Sequence, residues 1–73
     1  MANEVLVDVT DGIMTVTLNR PEAKNAANRA VAVGVAAAMD QLDSDDSIRV
    51  AILTGAGGTF CAGADLKAVA AGD

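Results

Sequence analysis

At 73 residues the chain has room for one small domain at most, and a core of that size is marginal without staples or partners. A single cysteine, Cys61, rules out an internal disulfide, and the absence of histidine removes any Cys/His zinc site, so no metal is expected. The formal net charge is −5, with Arg20, Lys24, Arg29, Arg49 and Lys67 scattered along the chain and Phe60 as the lone aromatic, so neither a basic patch nor a base-stacking set exists for nucleic acid.

No apolar run approaches the length of a membrane span. The first residues carry Glu4, Asp8 and Asp11 in place of a basic stretch and an apolar segment, so no secretory signal is read. A reducing, cytoplasmic setting is the expectation, with no membrane partner. The apolar surplus is mostly Ala and Val, which bury little area each and read as part of a core.

From Glu4 to Thr10 the residues alternate, Val5, Val7 and Val9 against Leu6, Asp8 and Thr10. Asp11-Gly12 is a hairpin turn signal, and Ile13 to Leu18 alternates again. Two antiparallel strands on a two-residue turn are predicted. Pro21 ends the second strand because it donates nothing to a ladder and restricts Arg20. A loop follows through Ala23, Lys24, Asn25 and Ala26.

A helix is predicted from an Asn28 N-cap to about Leu42, with Val31, Val35, Met39 and Leu42 as its apolar stripe. Gly34 inside it costs up to about 1 kcal/mol relative to alanine, so the helix needs packing support. Residues 43–47 read as a solvated acidic turn. A third strand is predicted over Ile48 to Thr54, from the short apolar run Val50-Ala51-Ile52-Leu53 bounded by turn signals. A second helix is predicted to start over Leu66 to Ala71, with Asp65 near its N-terminus.

Between the third strand and that helix lie Gly55, Gly57, Gly58 and Gly63, a loop whose Ala62-Gly63-Ala64 step leaves the main chain as the available chemistry. Two phosphate-binding readings fail. A dinucleotide fingerprint from Gly55 requires glycine where Phe60 stands, and a P-loop from Gly58 requires Lys and Ser or Thr where Ala64 and Asp65 stand. Cys61, with no histidine to activate it, reads as a small packed hydrophobe.

Two blocks, V-T-L-N-R-P-E-A-K-N-A from Val16 to Ala26 and I-R-V-A-I-L-T-G-A-G-G-T-F-C-A-G-A-D-L-K from Ile48 to Lys67, resemble the crotonase, or enoyl-CoA hydratase/isomerase, superfamily. The resemblance implies an α/β fold, the opening β-β-α unit, following strand and oxyanion loop of a crotonase-type superhelix, with residues 1–73 as the N-terminal fragment of a single domain. It implies an acyl-CoA thioester as substrate, with coenzyme A carried by the substrate and no separate cofactor, and a parent homotrimer or hexamer.

The shared chemistry of such enzymes is a thioester enolate held by two main-chain N–H groups. The resemblance puts the first at Ala64, and coenzyme A contacts at Ala23, Lys24, Ala62, Ala64, Asp65 and Leu66. Alone, Lys24 reads as a solvated loop cation and Asp65 as a helix-terminal residue, not a base. The second oxyanion donor and the catalytic carboxylates of hydratases belong to a later segment, and the only glutamates here are Glu4 and Glu22. The expected parent reaction is hydration of a 2-enoyl-CoA to a 3-hydroxyacyl-CoA. The alternatives are an enoyl-CoA isomerase or another CoA-thioester reaction of the family, and a non-catalytic remnant or partner-dependent piece.

Overall fold

The computed structural model describes residues 4–61 and 63. Strand β1 (Val5–Thr10) and strand β2 (Ile13–Leu18) pair antiparallel with Thr10 opposite Ile13, so the connection is two residues long. Asp11 (φ 53°) and Gly12 (φ 78°) both take positive φ, the backbone of a primed hairpin turn whose twist matches the strands it joins. The alternation and the turn signal thus specify the same register.

Helix α1 (Arg29–Ser44) starts directly after Asn28, an extended N-cap whose Oδ1 accepts from the Val31 N–H at 3.0 Å. That bond satisfies one of the donors every helix leaves open at its first turn. The helix runs two residues beyond the predicted end at Leu42. Its buried line is Val31, Val35, Ala38 and Leu42, while the predicted Met39 points outward. Spacings of four, three and four place Ala38 on the sheet side, and the small alanine lets the helix approach closely.

Strand β3 (Val50–Gly55) lies parallel to β2, with Met14 beside Ala51 and Val16 beside Leu53, giving the order β1-β2-β3. It starts two residues later than predicted. Ile48 is instead a buried anchor in the approach turn, where its N–H donates to the Asp45 carbonyl at 3.0 Å. Arg49 N–H then donates to the Gly12 carbonyl at 2.8 Å and ties the turn to the hairpin.

Met14, Val16, Ala38 and Ile48 form the core, with Val5, Val35, Leu42 and Ala51 packed against it. Met14 and Val16 are fully buried, and each such side chain contributes about 1.5–3 kcal/mol through the water it leaves. The helix covers the sheet face that carries these two residues. By the alternation of side chains along strands, Leu6, Ile13, Val50 and Ile52 fall on the other face, and all four are exposed. The fold is α/β, a β-β-α-β arrangement that is part of a larger architecture. No helix among the described residues is long and apolar enough to cross a membrane.

Candidate functional site

Past β2 the chain makes a 3-10 turn over Pro21–Ala23 and leaves it with two consecutive residues in the left-handed region, Lys24 (φ 52°) and Asn25 (φ 57°). Local hydrogen bonds hold this loop in shape. Ala23 N–H and Asn25 N–H both donate to the Arg20 carbonyl, at 3.0 and 2.7 Å, and Lys24 N–H donates to the Pro21 carbonyl at 3.1 Å. Arg20 braces it from outside: its Nη1 donates to the Ala26 carbonyl at 2.6 Å, and its Nε lies 3.4 Å from Glu4 Oε2.

That ion pair is partly exposed, so its value lies in fixing Arg20 more than in net energy. The Glu4 Oε2 atom is itself buried and within ion-pair range, but makes no aligned hydrogen bond. On this loop Lys24 is exposed and Ala23 is half-buried.

Past β3 a second 3-10 turn, Ala56–Gly58, opens the glycine loop. The two loops run side by side in the same direction, joined at three levels. Pro21 lies on Gly57, where a Cβ would come 2.7 Å from Pro21 Cβ, so only glycine admits this contact. In the middle, the fully buried Asn25 side chain donates through Nδ2 to the carbonyls of Ala56 (2.8 Å) and Thr59 (2.5 Å), while its Oδ1 accepts from the Arg20 N–H (2.7 Å). At the far end Ala27 N–H donates to the Gly63 carbonyl at 2.7 Å.

The residues expected to contact coenzyme A therefore divide. Ala23 and Lys24 sit on the first loop, alongside the second. Ala62, Ala64, Asp65 and Leu66, and the predicted second helix, lie outside the described residues. Gly63, between Ala62 and Ala64, is exposed, takes φ 102° and is held by Ala27. Cys61 is half-buried, and its Sγ accepts from the Gly63 N–H at 3.4 Å, which adds a local turn bond to the expected packing role.

Asn25 is the residue that sequence reasoning missed. An asparagine in a loop reads as a turn former, and its partners lie 31 and 34 positions away. The one available signal was its place inside the first resemblance block. A separate open groove of about 550 Å³ lies at the start of α1, lined by Glu4, Val5, Asn28, Arg29, Ala30, Val33 and Gly34. It includes no residue of either loop, and the convergence of main-chain groups lies between the loops.

A sequence model of the enoyl-CoA hydratase/isomerase family matches residues 8–73, and the chain belongs to that family. It is 47% identical over 67 residues to 1,2-epoxyphenylacetyl-CoA isomerase of Escherichia coli (strain K12), covering 92% of this chain and 26% of the relative. It is 48% identical over 65 residues to enoyl-CoA hydratase EchA19 of Mycobacterium tuberculosis (strain ATCC 25618 / H37Rv), covering 89% and 24%. Against the crystal structure of enoyl-CoA hydratase from Mycobacterium tuberculosis H37Rv the TM-score is 0.94 at 61% identity, over 96% of this chain and 28% of that one. The chain thus spans about a quarter of the length of the curated relatives it matches.

Proposed function

We propose that this chain is the acyl-CoA-holding N-terminal part of an enzyme that hydrates a 2-enoyl-CoA to a 3-hydroxyacyl-CoA. The observation that carries the proposal is the alignment of the two loops, which sets Lys24 on one and Gly63 on the other and joins them through Asn25 and the Ala27–Gly63 bond. In this reading Lys24 faces the phosphates of coenzyme A. Ala23, Ala62, Asp65 and Leu66 line its path, and the Ala64 N–H donates to the thioester oxygen.

Water adds across the double bond, the hydroxyl to C3 and the proton to C2, through an enolate whose negative oxygen the main-chain donors stabilise. Removing one such donor in comparable sites costs roughly a hundredfold to a thousandfold in turnover. The carboxylates that move these protons are assigned to a later β-β-α segment, as is the second donor. Glu4, paired with Arg20, and Glu22, on an exposed turn, are not assigned that role. A parent homotrimer or hexamer is part of the same proposal.

The test is steady-state hydration of crotonyl-CoA by the protein isolated from its source cells, followed by loss of the enoyl-thioester absorbance. Hydration supports the reading. Tight coenzyme A thioester binding with double-bond migration alone would move it to an enoyl-CoA isomerase. The exposed apolar face at Leu6, Ile13, Val50 and Ile52 favours a second reading for the 73-residue chain by itself, a non-catalytic piece that needs a partner surface. Crotonyl-CoA turnover by that purified chain would contradict it.

A further inference from the structure

The side chain of Asn25 is fully buried, yet all three of its hydrogen bonds reach main-chain atoms, two of them on the other loop. Burying a primary amide is unfavourable unless its donors and acceptor are met. Here the Nδ2 donors are met by Ala56 and Thr59 and the Oδ1 by Arg20 N–H. The backbone of Asn25 takes φ 57°, a region asparagine tolerates better than most residues, and that conformation turns the side chain inward from the loop.

The two loops differ in what else holds them. The first has its own bonds, from Ala23, Lys24 and Asn25 N–H and from Arg20 Nη1. Hydrogen bonds from the first loop to the second include those from Asn25 Nδ2 and from Ala27 N–H. Asn25 grips the second loop before Phe60, and Ala27 grips it at Gly63, so the segment from Thr59 to Gly63 is held at both ends.

We infer that Asn25 is a positioning residue, which sets the glycine loop at the distance from Lys24 where its main chain polarises a thioester oxygen. This rests on the proposed acyl-CoA reading and extends it to a residue that touches no substrate atom. A misplacement of about 1 Å in such a loop costs on the order of a hundredfold in rate. Coenzyme A is held in part by the first loop, whose own bonds do not depend on the Asn25 amide nitrogen. The loss should therefore fall on kcat far more than on KM.

The decisive variant is Asn25→Asp in the protein as its source cells make it. Aspartate keeps the shape and the acceptor for Arg20 N–H, but turns an oxygen toward the carbonyls of Ala56 and Thr59. With crotonyl-CoA, kcat should fall by roughly a hundredfold with a much smaller change in KM. A 4-dimethylaminocinnamoyl-CoA probe, whose absorption moves to longer wavelength as its thioester carbonyl is polarised, separates positioning from folding when its binding is measured independently by equilibrium dialysis. Wild type should shift the band, and Asn25→Asp should bind the probe without shifting it.

An equal shift in the two proteins, or a loss confined to KM, would overturn the inference. Binding without any shift in wild type would instead overturn the acyl-CoA polarisation reading beneath it. If Asn25→Asp does not fold, wild type still decides. Coupling between clamp and thioester is reciprocal, so the Asn25 Nδ2 protons should exchange with water more slowly when the probe is bound. Unchanged exchange would overturn the inference.

Discussion

Gly34 and Val5 stand so close that a Cβ on the glycine would lie 2.6 Å from Val5 Cγ2 and 2.7 Å from Val5 Cβ. The glycine that weakens α1 by its propensity is the place where the helix meets the first strand. Gly34→Ala should therefore destabilise the protein by up to about 2 kcal/mol, since forced overpacking typically costs about 1–3 kcal/mol against a propensity gain of up to about 1 kcal/mol. Denaturant unfolding of the two proteins measures this. A higher midpoint for Gly34→Ala would contradict the packing assigned to Val5.

The helix start depends on one side-chain oxygen. Asn28→Ala leaves the Val31 N–H without its 3.0 Å partner and should cost about 1 kcal/mol, whereas Asn28→Asp or Asn28→Ser should retain most of the stability. Thermal unfolding of the three variants reads the order directly.

Asp45 closes the helix and organises the acidic turn. Its carboxylate accepts from the Ser47 hydroxyl at 2.6 Å and the Ser47 N–H at 3.0 Å, and these two bonds, the hydroxyl first, hold its pKa below the ordinary aspartate value. A lowered folded-state pKa gives stabilisation that is complete above the unfolded value and fades as pH falls through the folded one. Ser47→Ala should let the Asp45 titration move up toward the ordinary value. A carboxyl carbon NMR titration checks it, and an unmoved midpoint would assign the effect to the backbone bond alone.

Leu6, Ile13, Val50 and Ile52 share the sheet face that α1 does not cover. Exposed apolar patches of this kind drive association. The isolated 73-residue chain should self-associate in sedimentation experiments, and Val50→Lys together with Ile52→Thr should lower the association. A monomer at all concentrations would show that the face is tolerated in water.

The hairpin was readable because alternation and Asp11-Gly12 are local signals, and the helix start because a cap acts within three residues. The helix face was only partly readable. Val31, Val35 and Leu42 fit either line, and the choice between Ala38 and Met39 depended on the sheet that packs there, which strand alternation alone does not position. Of the candidate site, the family blocks directed attention to both loops, and Ala23 and Lys24 lie on the first. Their joining was not legible, because the value of Asn25 comes from carbonyls brought to it by the crossover from β2 through α1 to β3. A polar side chain is read locally from sequence, but its burial is a property of the fold.

In the proposed function a coenzyme A thioester lies along the two joined loops and touches both. The most direct test is amide hydrogen exchange of the natural protein with and without a non-hydratable acyl-CoA analogue. Protection should rise together in residues 20–27 and 56–64. Protection of one loop without the other, or protection centred on the groove of Glu4, Asn28 and Gly34, would contradict it.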